Sequence, residues 1–156
     1  MIVEPKLLRL KDVDYSHRSE MIDIISDGVM RQQTIIFSGA DYFGEKYYFT
    51  EEGLRYIQDS RERRWWQELV LDYLNKIPII LKTPAIMGRS VVDHNSYVYG
   101  KMISHKPPRR TQHLLLVVLK KLNVNVVWNI YWAEENHIPH DTEVVFHEKS
   151  ARKLLR

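Results

Sequence analysis

The pattern of hydrophobic and polar residues is clearest between His113 and Trp132, where two apolar segments flank an asparagine-containing turn. Leu114 to Leu119 is an unbroken apolar run, too short for a membrane span, and a second arm begins at Val124. The two segments predict a β-hairpin. Because the first arm is apolar on both faces, it is predicted to be a central strand of a sheet.

The second arm alternates, so its residues are predicted on two faces of the sheet. The face predicted to be buried comprises Val126, Trp128, Ile130 and Trp132. The other face carries Asn129 and Tyr131, and the alternating segment SVVDHNSYVYGKMIS adds Tyr99 and Lys101 to it. We expect the two tryptophans to be covered by the helix that contains Tyr73, which leaves the polar face open.

The remaining pattern predicts helices before the sheet. Residues 16–33 have helical spacing of apolar residues, TIIF and KYYFT predict a second hairpin, and Thr50 with two glutamates after it predicts a helix start. A second helix is expected from near Asp59-Ser60 to Pro78, then a short strand in IPIILK, and a last strand in EVVFH. The predicted class is α+β, with N-terminal helices packed on one face of a small, mainly antiparallel sheet.

Length and composition limit the function classes. A chain of 156 residues fits a single domain, 1–156, with a helical part at about 16–77 and a sheet-rich part at about 78–147. The chain has no cysteine, which excludes disulfides, cysteine-ligated zinc and thiol catalysis. No export signal or membrane span is present, so we expect a cytoplasmic protein without a membrane partner. The charge excess, 23 − 20 = 3, is too small to indicate a polyanion partner by itself.

The densest basic cluster is the segment HKPPRRTQH at 105–113, which no acidic residue interrupts. Arginine binds phosphoryl oxygens in a bidentate manner, and histidine exchanges protons near neutral pH. The segment therefore predicts either a phosphate site or an ordinary solvated loop. Its candidate residues are His105 and His113 for proton transfer, Arg110 to stabilise charge, and Lys106 and Arg109 to bind substrate.

The predicted second helix begins with several arginines, although the N-terminal end of a helix disfavours cations. Arg61 and Arg64 are either a solvated face paired with neighbouring glutamates or contacts to phosphate. Near the C-terminus, His137, His140 and His147 suggest a metal site by residue type, but their spacing matches no known metal motif. Motifs of nucleotide hydrolases, dinucleotide-binding proteins and serine hydrolases are missing from the sequence.

From Phe49 to Tyr131, the order of these signals resembles the barnase/EndoU/colicin/RelE-like nuclease superfamily, particularly its phage-associated branch. The segments that resemble it are FTEEGLRYI, RERRWWQELVLDYL, IPIILKTPAIM, YVYGKM, LLLVVLKK and VVWNIYW. This resemblance implies helices packed on a small antiparallel sheet and metal-independent cleavage of RNA on the sheet's open face. Lys101, Asn129 and Tyr131 carry over by position, whereas the helix histidines of the branch have no counterpart here.

Three functional hypotheses follow from these observations. The first is a toxin-like ribonuclease without cofactors that attacks the phosphate with the RNA 2′-hydroxyl, using His105, His113, Arg110 and Tyr131. The second, motivated by the missing helix histidines, is a non-catalytic module of the same fold that binds nucleic acid, a protein partner or an inhibitor. The third is a metal-dependent hydrolase that uses the C-terminal histidines.

Overall fold

The structure, a computed structural model, describes residues 10, 12–62, 65–105 and 111–155, without the side chains of 60–70. Within these residues, one sheet contains β1 (Met21–Ser26), β2 (Val29–Ala40), β3 (Lys46–Thr50), β4 (Ile86–Ser90), β5 (Ser96–Ser104), β6 (Gln112–Lys121), β7 (Asn125–Trp132) and β8 (Thr142–His147). The α-helices are α1 (Glu51–Glu62) and α2 (Ile77–Lys82). Three segments are 3-10 helical: Trp65–Lys76, Glu134–Asn136 and Lys149–Leu154.

The sheet is mixed, with strand order β1-β2-β3-β7-β6-β5-β4-β8. β3 and β7 are parallel, with Tyr47 opposite Asn125, and the other neighbouring pairs are antiparallel. A parallel pair needs a long crossover connection, and the chain between β3 and β7 supplies it with α1, α2 and three further strands. β6 and β7 form the predicted hairpin, and β6 has a neighbour on each side, so its central position is confirmed.

The predicted fold class is wrong in two respects: the sheet is large and mixed, and the N-terminal part is not a set of helices packed on it. Residues 21–40 form the β1–β2 hairpin instead of a helix. The turn explains the difference, because Asp27 and Gly28 both have positive φ, 53° and 76°. An Asp-Gly pair is the preferred sequence for this kind of two-residue hairpin turn, and it outweighs the helical spacing of the surrounding apolar residues.

The segment IPIILK forms α2 and not the predicted strand. Pro78 lies in the first turn of this helix, where a backbone N–H would have no partner within the helix in any case. Proline therefore marks a helix start here, whereas the sequence pattern was interpreted as a helix end. The predicted hairpin of β2 and β3 is confirmed, as is the start of α1 after Thr50, whose Oγ1 accepts a bond from the Gly53 N–H at 3.0 Å.

The sheet has an apolar cluster on each face. The larger cluster packs against α1, the Trp65–Lys76 segment and α2, and it includes Phe37, Phe49, Leu54, Tyr73, Ile77, Tyr99, Leu115, Val117, Ile130 and Trp132. The smaller cluster lies under the C-terminal segments and includes Ile86, Val98, Leu114, Leu116, Ile138, Ala151 and Leu154. β6 contributes to both clusters, which is why its sequence is apolar on both faces.

A buried carboxylate lies in the turn between β2 and β3. Asp41 is 4% exposed and accepts bonds from the backbone N–H groups of Phe43 and Glu45, both at 2.9 Å. The fully buried Tyr99 donates its hydroxyl proton to the second carboxylate oxygen at 3.0 Å. Burial and the Asp41 carboxylate together raise the pKa of Tyr99 well above its usual value, and the same two causes raise that of Tyr47. The turn is therefore joined to the centre of the sheet through a hydrogen bond to a charged group.

Replacing Tyr99 by phenylalanine is expected to lower the free energy of unfolding near neutral pH by about 1–3 kcal/mol, because Asp41 loses its hydroxyl donor. The folded-state pKa of Tyr99 is raised, so its contribution is complete below about pH 10, the usual tyrosine pKa, and decreases as pH rises beyond that value. The stability difference between wild type and Tyr99→Phe should therefore shrink in alkaline solution. Urea unfolding across this range measures it, and a constant difference would contradict the assigned role.

Candidate functional site

Two histidines lie together where β5 continues into β6. His105 directly follows β5, and its backbone N–H donates to the Thr111 carbonyl at 2.9 Å, so the strands stay close at the base of the loop. His113 is the second residue of β6 and lies opposite Ile103. The centroids of the two imidazole rings are 4.6 Å apart, with the rings nearly perpendicular. The structure thus brings together the two residues that the sequence analysis selected for proton transfer.

The two rings differ in their surroundings. His105 is partly buried and stacks on Trp132, with ring centroids 4.7 Å apart and planes inclined by 28°. Its Nδ1 is 3.5 Å from the Tyr73 hydroxyl, at the limit of a hydrogen bond. Tyr73 and Trp132 are themselves buried in the larger cluster, whereas His113 is exposed. One imidazole is therefore held by the core, and the other is open to solvent.

Five basic candidates are not placed by the structure. Lys106, Arg109 and Arg110 lie outside the described residues, as do the side chains of Arg61 and Arg64. In the sequence, Lys106 follows His105 directly, and Arg110 precedes His113 by three residues. The histidine pair is thus the described part of a segment rich in positive charge.

Tyr99 and Lys101 do not form an open face with Asn129 and Tyr131, as the alternation predicted. Tyr99 faces the helices and is fully buried. Lys101 donates through Nζ to the Thr83 carbonyl oxygen at 2.7 Å and is also 3.2 Å from its hydroxyl, so it binds the residue at the C-terminal end of α2. A cation is favourable at that end of a helix, which gives Lys101 a structural role.

Asn129 and Tyr131 lie on strand β7 away from the helices. Tyr131 pairs with Leu116 and packs against the smaller cluster under the C-terminal segments. Asn129 accepts a bond from the Ile130 N–H at 2.9 Å through its side-chain oxygen. Both side chains are partly exposed, and that of Tyr131 packs against the smaller cluster.

A β-bulge explains why the predicted alternation fails. Val118 pairs with Asn129, but the next residue, Leu119, pairs with Val127, so Trp128 is an extra residue in β7. Val127 consequently joins Ile130 and Trp132 in the larger cluster, while Trp128 remains partly exposed. Trp132 contacts Tyr73 at 5.2 Å between ring centroids, as predicted, whereas Trp128 lies beside Tyr56 of α1, with ring centroids 6.4 Å apart.

The three C-terminal histidines do not form a described metal site. Among the residues that the structure describes, no group of three or more histidine, cysteine, aspartate or glutamate side chains is arranged to hold a metal ion. His147 contacts the Glu148 carbonyl through Nδ1 at 3.0 Å. The described geometry therefore gives no support to the metal-dependent hypothesis.

The residues that hold His105 were not predicted from the sequence. From the sequence, Tyr73 was predicted only in the helix that covers the sheet, and Trp132 only on the buried face of the second hairpin arm. Both residues do lie in the core, but they meet the imidazole at the end of the sheet. No local pattern connects positions 73, 105 and 132, since their proximity arises from the packing of the Trp65–Lys76 segment on β7.

Comparisons with known proteins add no relatives. No protein-family model, no curated protein and no solved structure matches the chain. In the described part of the chain, every helix is too short or too polar to cross a membrane. Functional inference therefore depends on the site itself.

Proposed function

We propose that this chain binds RNA and cleaves it without a metal ion, through His105 and His113. The observation that carries the proposal is the 4.6 Å separation of the two imidazole centroids at the base of a loop that contains three cations. General acid–base catalysis needs two such groups close to the reacting phosphate, each contributing about 10²–10⁴-fold to the rate. The basic residues of the loop would attract the phosphate and stabilise the negative charge that develops.

The reaction is an internal transesterification. One neutral imidazole removes the proton of the ribose 2′-hydroxyl, and the resulting oxygen attacks the adjacent phosphorus. The bond to the 5′-oxygen breaks, and the protonated imidazole of the other histidine donates a proton to the leaving oxygen. The products are a 2′,3′-cyclic phosphate and a 5′-hydroxyl. We assign the base to His113 because it is exposed. The acid is assigned to His105, which Trp132 and Tyr73 hold in place and whose buried Nε2 must become accessible to the leaving oxygen when RNA binds.

Three of the residues selected from the sequence are left out of this proposed site. Tyr131 and Asn129 lie on the other side of the sheet, and Lys101 is bound to Thr83. The nuclease resemblance rests partly on these positions, so the proposal is supported by the histidine pair and the basic loop.

The test is incubation of the purified chain with mixed-sequence RNA in excess EDTA, from about pH 5 to about pH 9, a range that spans the usual histidine pKa. We expect cleavage that EDTA does not inhibit, with DNA of the same sequence left intact because it lacks the 2′-hydroxyl. RNA that stays intact throughout this range would contradict the proposal. Cleavage that EDTA abolishes would also contradict it, since the reaction would then need a metal ion.

A second candidate is a nucleic-acid-binding module without catalysis. It is favoured by the engagement of Lys101 and Tyr131 elsewhere, because these were the residues expected to contact the reacting phosphate. This module would retain RNA on a filter, with affinity that falls steeply as salt rises, but would not cut it. Retention without cleavage therefore separates the two candidates.

A further inference from the structure

A small apolar pocket lies beside the bulge of β7, away from the histidine pair. Its walls include the aromatic rings of Tyr56, from α1, and Trp128, with centroids 6.4 Å apart and planes inclined by 47°. Gly53, Val126 and Val127 also line it, and the volume is about 110 Å³. We call this the Tyr56–Trp128 pocket. Pockets that enclose whole small molecules usually measure about 300–1,000 Å³, so this one fits a single ring of a larger ligand.

The bulge places Trp128 in this position. In a regular strand the indole would point into one of the two apolar clusters. Because Trp128 is the extra residue of the bulge, its side chain does not follow the regular alternation of the strand. Tyr56 is 50% exposed although it is a large aromatic residue. Two aromatic rings are thus held close together at the surface.

The spacing of the two rings suits a planar ligand. Stacked bases in nucleic acids are about 3.4 Å apart, so a base between two aromatic side chains needs ring centroids roughly 7 Å apart. The observed 6.4 Å, with planes inclined by 47°, is slightly less than this, so entry of a base requires the half-exposed Tyr56 ring to move outward and become parallel to the Trp128 ring. Stacking on aromatic side chains is the usual way in which proteins hold the unpaired bases of single strands.

Charges around the pocket favour a base inside and a phosphate outside. The Lys120 ammonium is 4.1 Å from the centroid of the Trp128 ring and 3.2 Å from Asp93. At the rim, Glu52 accepts a bond from the Thr34 N–H at 2.8 Å, and Gln33 accepts one from the Thr50 hydroxyl at 2.7 Å. These bonds fix the Glu52 carboxylate and the Gln33 amide beside the opening. A base inside the pocket can form hydrogen bonds with both groups, whereas the carboxylate repels a phosphate.

We infer that the Tyr56–Trp128 pocket binds one base of a single-stranded nucleic acid. The inference rests on the proposed function in taking nucleic acid as the ligand, and it adds a base-binding site distinct from the reacting groups. Trp128 and Trp132 are four residues apart on β7, a separation of about 13 Å at roughly 3.3 Å per residue. One single strand can therefore contact both the pocket and the histidine pair.

The experiment uses the full chain and a short single-stranded DNA oligonucleotide of mixed sequence, which the proposed transesterification cannot cut. We expect the oligonucleotide to shift the indole N–H signal of Trp128 in NMR spectra, assigned by its loss in Trp128→Phe. Tyr56→Ala should weaken binding about tenfold or more, as expected for loss of one stacked base. Tyr56→Phe should bind like wild type, because the ring and not the hydroxyl is needed.

The matched control is Tyr42→Ala, which removes a tyrosine that is 45% exposed in the β2–β3 turn and should leave affinity unchanged. Equal affinities of the Tyr56→Ala and Tyr42→Ala variants would overturn the inference. So would a Trp128 signal that moves with an uncharged apolar peptide but not with the oligonucleotide. Oligonucleotide binding in the pocket with RNA left intact would support this site and refute the ribonuclease, whereas cleavage without use of the pocket would do the reverse.

Discussion

His113→Ala is expected to slow RNA cleavage by about 10²–10⁴-fold, the usual loss when one acid–base group is removed. The side chain is exposed at the start of β6, so the change should alter the free energy of unfolding by no more than about 0.5 kcal/mol. Binding of a single-stranded DNA oligonucleotide should persist, because the basic loop and the Tyr56–Trp128 pocket remain. Initial cleavage rates and urea unfolding measure the two effects separately.

The matched control for this variant is His94→Ala, which removes another exposed histidine from the β4–β5 turn. Its cleavage rate should equal that of wild type. Added imidazole should partly restore the rate of His113→Ala, because a small molecule can replace a missing proton acceptor but cannot repair a folding defect. Equal rates for wild type and His113→Ala would remove His113 from the mechanism.

Trp132→Ala is expected to lower the free energy of unfolding by about 3–5 kcal/mol, the range for truncating a large buried aromatic residue. Trp132 is 7% exposed and contacts the rings of Tyr73 and His105. A loss of this size is a large part of the roughly 5–15 kcal/mol that stabilises a typical domain. Thermal and urea unfolding measure it, and cleavage should fall as well because His105 loses the ring on which it stacks.

Trp128→Ala provides the comparison for this prediction. Trp128 is partly exposed beside the bulge, so the same truncation should cost clearly less stability than it does at Trp132. The sequence pattern, which placed both tryptophans on one buried face, predicts equal losses. Equal losses would therefore contradict the bulge and restore the regular alternation.

The sequence predicted those elements best whose structure is determined by residues close together in the chain. The β6–β7 hairpin and the central place of β6 followed from apolar runs on either side of a turn. The N-terminal hairpin was predicted as a helix because apolar spacing was weighed above the turn, although Asp27-Gly28 was visible in the sequence. Pro78 was interpreted as a helix end, and a proline suits a first turn equally well.

The features that sequence could not predict depend on contacts between distant segments. The bulge at Trp128 is defined only by the pairing of β7 with β6, where Leu119 lies opposite Val127. The hydroxyl of Tyr99 binds Asp41, which lies in the distant turn between β2 and β3. In the candidate site, the two histidines and the basic loop were visible as one segment. Their support by Tyr73 and Trp132 required the packed structure.

The chemistry of the cut ends tests the central claim most directly. The purified chain is incubated in excess EDTA with a short RNA labelled at one end, and the termini of the fragments are identified by mass. The proposed use of His105 and His113 predicts a 2′,3′-cyclic phosphate on one fragment and a 5′-hydroxyl on the other, with no cut at a position where deoxyribose replaces ribose. Fragments that end in a 3′-hydroxyl and a 5′-phosphate, or RNA that binds and remains intact, would contradict it.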